Sequence, residues 1–153
     1  MITIRIYGLP GPQGSKRFVG SKNGRGIMVE SSAKVKPWRE AVKSAGIAVM
    51  DGRPPLDGPL VASMIFTLPK PKSAPKSRQT WPDRKPDLSK LIRSTEDALS
   101  DAGVWTDDAR VVEYMRLAKV FPGEDHQALH IPGALVIVQT MSEAMGQAVR
   151  AAA

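Results

Sequence analysis

The 153-residue sequence contains no cysteine. That excludes disulfides, thiolate zinc sites and cysteine nucleophiles, and it is compatible with a reducing compartment. Histidine is nearly absent too. His126 and His130 both fall between Pro122 and Ile131, a stretch bounded by Pro and Gly and without clear helical pattern, so no metal role is expected of them. No run of eighteen apolar residues occurs, and no basic segment followed by a long apolar run opens the chain. Neither a membrane span nor a signal peptide is expected. The Gly-rich stretch near the N-terminus lacks the GxxxxGK[ST] spacing, so it is not a P-loop. Acids are outnumbered, 15 Asp and Glu against 22 Lys and Arg, giving a formal charge of +7 and a pI near 9.9. A small basic chain points to a polyanionic partner. The length suits one domain with a real core.

Ile2, Ile4 and Ile6 alternate with Thr3, Arg5 and Tyr7, the pattern of a strand with one buried face. The stretch Gly11 to Val29 then carries Lys16, Arg17, Lys22 and Arg25 among glycines, with a short strand expected at Ile27 to Val29. It reads either as a basic loop against a phosphodiester backbone or as a solvated hairpin. Lys36 to Met50 reads as a helix, with Pro37 in its first turn and Trp38, Ala41, Val42, Ala45, Ala48 and Val49 on its apolar face. Lys36, Arg39 and Lys43 form a basic stripe that suits DNA or plain solvent. Trp38 shares the apolar face and is expected in the core. Gly46 weakens the middle of this helix by about 1 kcal/mol relative to alanine. After a loop from Asp51 to Pro59, Leu60 to Leu68 reads as a strand. Lys70 to Lys85 is an arm holding Lys70, Lys72, Lys76, Arg78, Arg84 and Lys85 against the single acid Asp83. Its prolines disfavour regular structure, and it is expected to be mobile in the free protein. Trp81 can stack on bases or pin the arm to the body.

The densest chemistry lies in KPDLSKLIRSTEDALSDAGVWTDDARVVEY, Lys85 to Tyr114. Leu88, Leu91, Ile92, Thr95, Ala98 and Leu99 recur at helical spacing, and Lys90, Arg93 and Asp97 fall opposite. Arg93 and Asp97 are four apart and can pair. Pro86 marks the helix boundary, Asp87 suits an N-cap or first-turn acid, and Gly103 suits the terminator. A strand is expected from Arg110 to Phe121, with its faces ambiguous. Packing helix on strand is expected to bury Leu88, Ile92, Leu99 and Val112 and to bring Asp87 and Asp108 side by side. Two close carboxylates repel unless a cation or proton lies between them. Mg²⁺ takes hard oxygen ligands and keeps several waters, so Asp87, Asp107 and Asp108 would suffice, with Lys90 and Arg93 holding a phosphate. The same residues also fit a plain cap, a solvated turn and a surface ion pair. Ala134 to Met141 reads as the last strand and Ser142 to Ala153 as a short amphipathic or frayed tail.

This stretch resembles the RusA-type Holliday junction resolvases, small phage and prophage endodeoxyribonucleases. The likeness is carried by the acid-leucine start Asp87-Leu88-Ser89, by Asp97-Ala98-Leu99, and by Gly103-Val104-Trp105-Thr106-Asp107-Asp108-Ala109-Arg110-Val111. In element order it extends over roughly residues 1–141, and it is specific over about 30 residues. The resemblance implies three aspartates on Mg²⁺ (or Mn²⁺) and a helical lysine. The first aspartate carries over to Asp87 and the third to Asp108, with Asp107 beside it. The second position holds Ser89, which adds no negative charge, and the lysine position holds Arg93, which cannot release a proton near neutral pH. Asp107 or Asp97 would supply the missing carboxylate, and Lys90 the missing lysine as a phosphate ligand.

The expected fold is α/β in composition, a small mixed sheet with two helices packed on one face, in one nuclease domain (1–141) followed by a tail (142–153). The implied activity is metal-dependent resolution of four-way DNA junctions by paired symmetric cuts, carried out by a homodimer in the bacterial cytoplasm with no membrane partner. Asp87, Ser89, Lys90, Arg93, Asp107 and Asp108 are the expected catalytic set. Lys16, Arg17, Lys22, Arg25, Arg39, Lys76, Arg78, Arg84 and Lys85 are the expected DNA ligands. Two alternatives stand: a branched-DNA-binding protein impaired in cleavage, favoured by Ser89, and a nuclease acting on flaps or nicks.

Overall fold

The computed structural model describes residues 1–14, 16–30 and 33–152, with the backbone alone at 16, 17 and 27–30. The DNA contacts expected of Lys16 and Arg17 therefore lie outside the described residues. Strand β1 is Ile2–Tyr7, and a hairpin of β2 (Lys16–Lys22) and β3 (Arg25–Glu30) leads to α1, Val35–Met50. Strand β4 (Leu60–Thr67), α2 (Leu88–Asp101), β5 (Val111–Val120), β6 (Gly133–Thr140) and α3 (Met141–Ala152) complete the chain. The main sheet has the order β1-β6-β4-β5, with β4 and β5 parallel and the other neighbours antiparallel. This is the small mixed sheet with helices on one face that the sequence pattern predicts.

The eight residues of β4 are all buried, as a central strand requires, and this explains its unbroken apolar run. Ile2, Ile4 and Ile6 of β1 and Ala134, Val136 and Val138 of β6 join the same core as Trp38 and Val42 of α1 and Leu91, Ala98 and Leu99 of α2. Trp38 donates from Nε1 to Thr95 Oγ1 at 3.0 Å, so its one polar atom is satisfied in the core. Gly46 packs against the C-terminal end of α2, where an added Cβ would stand 2.8 Å from Ala102 Cβ and 3.2 Å from Val104 Cγ2. The glycine that lowers the propensity of α1 is what lets α2 approach.

Strand β5 resolves the ambiguity of its faces. Register shifts between Leu60 and Val61 and between Ala62 and Ser63 leave Val112 and Met115 unpaired opposite β4. Two bulges therefore break the period of two. Val111, Tyr114 and Leu117 pack against the core, while Val112 is 58% exposed rather than buried. The C-terminal segment, read as amphipathic or frayed, is a helix of 12 residues. Thr140 and Glu143 start it as a capping box: Thr140 N donates to Glu143 Oε2 at 2.8 Å, and Glu143 N donates to Thr140 Oγ1 at 3.2 Å. The N-terminal ammonium donates to Glu143 Oε1 at 2.6 Å, tying α3 to the start of β1.

Candidate functional site

Helix α2 carries the site, and its direction decides the geometry. A parallel β4–β5 pair needs a crossover, so α2 runs back, antiparallel to both strands. Its first turn lies by the end of β5: Lys119 Nζ donates to Arg84 O at 2.8 Å and to Pro86 O at 2.9 Å. Its second half lies by the start of β5, where the Tyr114 hydroxyl donates to Glu96 Oε1. Asp87 and Asp108 are thus at opposite ends of this layer. The rise from Asp87 to Glu96, nine residues on, is about 13 Å. Helix packing does not set the two aspartates side by side, contrary to expectation. Among the described residues no group of three or more His, Cys, Asp and Glu could hold a metal ion.

At the first end, Asp87 is the N-terminal boundary residue of α2, extended at φ −70° and ψ 134°. Its carboxylate makes no capping hydrogen bond; instead Oδ2 stands 3.4 Å from Lys90 Nζ. Ser89 and Lys90 are exposed beside it. On the inner side of this turn, Ser94 Oγ donates to Gly11 O at 2.6 Å and Gln13 N donates to Lys90 O at 3.0 Å, clamping α2 to the segment after β1.

At the other end, Asp107 caps the single 3-10 turn Asp108–Arg110 by accepting from Ala109 N at 2.8 Å. Asp57, from the loop before β4, locks this turn: Oδ1 stands 3.0 Å from Arg110 Nε and accepts from Thr106 Oγ1 at 3.1 Å. The Gly58 amide, Thr106 and Arg110 together hold the Asp57 carboxyl below its ordinary range. Asp108 is left exposed, and its charge acts on Glu96 and Tyr114. Burial pushes the half-buried Glu96 carboxyl up, with Asp108 and Asp97 adding and the Tyr114 hydrogen bond and Arg93 opposing. Burial and the Glu96 carboxylate push the Tyr114 hydroxyl up as well.

Glu96 and Asp57 are the residues the sequence reading missed. Glu96 lies seven residues after Ser89 and three after Arg93, so it shares their face, and that spacing was the available signal. Asp57 carried none. One expected pairing changes. Asp97 meets Arg39, Oδ2 to Nη1 at 3.6 Å, rather than Arg93. Arg39 also donates to Asp101 Oδ2 at 2.8 Å, so it ties α1 to α2.

The remaining cations surround the Asp87 end or the hairpin. Lys22 and Arg25 pair across the hairpin tip and are exposed, with Asn23 and Gly24 turning at positive φ. Lys76, Arg78, Arg84 and Lys85 are exposed on the arm. The arm has no regular structure, as its prolines predict, but it is held at two points. Glu124 accepts from Lys70 Nζ, from Thr80 N at 3.0 Å and from Thr80 Oγ1 at 3.2 Å. Lys119 holds its far end, as above.

The sequence from residue 9 to residue 130 matches the family described as Endodeoxyribonuclease RusA. The chain belongs to the RusA family. No curated protein gives a significant match. The RusA match spans the hairpin, both packed helices, β4, the arm, the Asp107-Asp108 turn and β5, so it contains both ends of the site. At the level of the RusA family the chain is an endonuclease of DNA. No helix among the described residues is long and apolar enough to cross a membrane.

Proposed function

We propose that this RusA-family chain is a metal-dependent nuclease that resolves four-way DNA junctions as a two-fold dimer. The observation that carries the reading is the pair of exposed carboxylates, Asp87 at the start of α2 beside the basic arm and Asp108 by its second half. Their oxygens suit Mg²⁺, or Mn²⁺ on the same donors, but their separation prevents them from sharing an ion within one chain. The reading therefore requires a second copy. Strand β5 is the edge of the sheet and exposes Val112 and Met115. A two-fold contact along that side runs the two α2 helices antiparallel and directs each Asp108 toward the partner's Asp87. A four-way junction is itself two-fold, and paired cuts need two such sites.

In this reading Asp87 and Asp108 are the metal ligands, and Asp107, whose carboxylate caps the turn, positions Asp108. Bound Mg²⁺ would supply Lewis-acid activation of the scissile phosphate. Lys90 and Arg93 would neutralise charge building on the phosphate oxygens. Ser89 offers a neutral hydroxyl for a water or phosphate oxygen. Lys22, Arg25 and the arm cations would hold the DNA backbone, and the site of action would be the cytoplasm of the bacterial host.

Ser89 specifically favours a second reading, a branched-DNA-binding protein without cleavage. The test is a labelled synthetic four-way junction with Mg²⁺, Mn²⁺ or EDTA, beside Asp108→Asn. Paired symmetric nicks that require metal and Asp108 support the resolvase reading. Tight junction binding with no cut under either metal leaves the binding protein. Cuts in flaps but not junctions assign a nuclease of other specificity.

A further inference from the structure

We infer that the open cavity beneath the basic arm is a binding site for an unpaired deoxynucleotide, its base stacked on Trp81 and its flanking phosphates on Arg84 and Lys85. This rests on the DNA-nuclease reading above and adds a site to it. The cavity measures about 1270 Å³ and is walled by the arm, the segment after β1, Leu68, Phe121 and the start of α2. That exceeds the roughly 300–1,000 Å³ of small-ligand pockets and leaves room for more than one nucleotide.

Three features choose the occupant. The first is an aromatic face. Trp81 is 66% exposed, whereas Trp38 and Trp105 are each 1% exposed. The chain buries its other indoles and presents this one on the cavity wall, where a base can stack. The second is charge. Lys34, Arg78, Arg84, Lys85 and Lys90 line the cavity against Asp83 and Asp87, and Asp87 already faces Lys90. Arg78, Arg84 and Lys85 have no carboxylate within ion-pair distance among the described residues. An anionic ligand fits such a wall and an apolar one does not. The third is preorganisation. The backbone is pinned just before Trp81, where Thr80 N donates to Glu124, and just after it, where Lys119 holds Arg84 O. Pro82 between them is buried. The indole is therefore presented by a held segment, which lowers the ordering cost of binding. Paired bases have both faces covered by their neighbours, so the site selects a strand that has left the duplex, as at a branch point.

The test uses the full chain in EDTA, so that binding is read apart from cleavage. Because Trp38 and Trp105 are buried, a change in exposed-tryptophan emission reports Trp81. A single-stranded oligothymidylate is expected to quench that emission, while a duplex of equal length and inorganic polyphosphate are not. In anisotropy titrations, Trp81→Ala is expected to weaken single-strand binding on the order of ten- to a hundredfold and to leave duplex binding within about twofold. Arg84→Ala with Lys85→Ala is expected to weaken single-strand binding and to make it less dependent on salt, and unchanged single-strand affinity in that double variant overturns the phosphate contacts. Equal quenching by polyphosphate or duplex, or unchanged single-strand affinity in Trp81→Ala, overturns the inference. Junction cleavage that survives in that case would leave the nuclease reading intact. Quenching in a protein that cuts nothing would keep the nucleotide site and remove only the nuclease.

Discussion

Gly46 offers a perturbation whose sign depends on the tertiary contact. By helix propensity alone, Gly46→Ala should stabilise the interior of α1 by about 1 kcal/mol. In the folded chain the new methyl would stand 2.8 Å from Ala102 Cβ and 3.2 Å from Val104 Cγ2. Ala102 Cβ is fixed to backbone and cannot swing away, so the helices must separate. A Cβ forced to 2.8 Å from a fixed neighbour falls in the upper part of the overpacking range, about 2–3 kcal/mol, and the propensity gain of about 1 kcal/mol offsets part of it. The expected net effect is a loss of about 1–2 kcal/mol, a fall in Tm of roughly 2–8 °C for a chain of this size. Gly146 in α3 is the internal control, because a methyl there meets nothing within 4 Å. Gly146→Ala keeps only the propensity term and should raise stability by up to about 1 kcal/mol. Urea denaturation of the two variants beside the parent reads both signs. If Gly46→Ala is as stable as the parent, or more so, the close packing of α1 on the C-terminal end of α2 is wrong. The placement of α2, and of both carboxylate ends, would then be wrong with it.

Three further outcomes are expected. Glu96 has a folded pKa above its ordinary 4.5, so its ionisation costs stability progressively as pH rises from that value through the raised one. Glu96→Gln cannot ionise, and its stability relative to the parent should climb over the same window in urea midpoints taken from about pH 4 to about pH 8; a flat difference rejects the burial of Glu96. Asp125 behaves oppositely. Arg116 donates to it and holds its carboxyl down to about 2 from the ordinary 3.8, so its contribution is present above 3.8 and is lost as pH falls toward 2. Asp125→Asn should be less stable than the parent at neutral pH and approach it in acid, and equal stability at pH 7 would show that the pair contributes nothing. Thr140→Ala removes the capping box of α3 and should cost about 0.5–2 kcal/mol of local stability. Loss of helical signal in far-UV circular dichroism, with the main melting transition unmoved, checks it, and unchanged helicity counts against the cap.

Local pattern was enough for the elements themselves. Alternation placed β1, helical spacing placed α1 and α2, the unbroken apolar run placed β4, and prolines kept the arm irregular, because each of these depends on neighbours a few residues away. The motif from Asp87 to Val111 likewise named the family, since it needs only residue types at fixed spacing. Three things lay beyond that reach. The two bulges in β5 arise from its pairing with β4, and they turn Tyr114 toward Glu96 while exposing Val112. The return direction of α2 follows from the parallel crossover, and it puts Asp87 and Asp108 at opposite ends where the motif brings them within about twenty residues. Asp57, remote in sequence, meets the Thr106–Arg110 turn only because the loop before β4 lies beside it. Spacing along the chain sets which side chains share a face; which ends meet depends on strand order and helix direction, and those are set by contacts far apart in sequence.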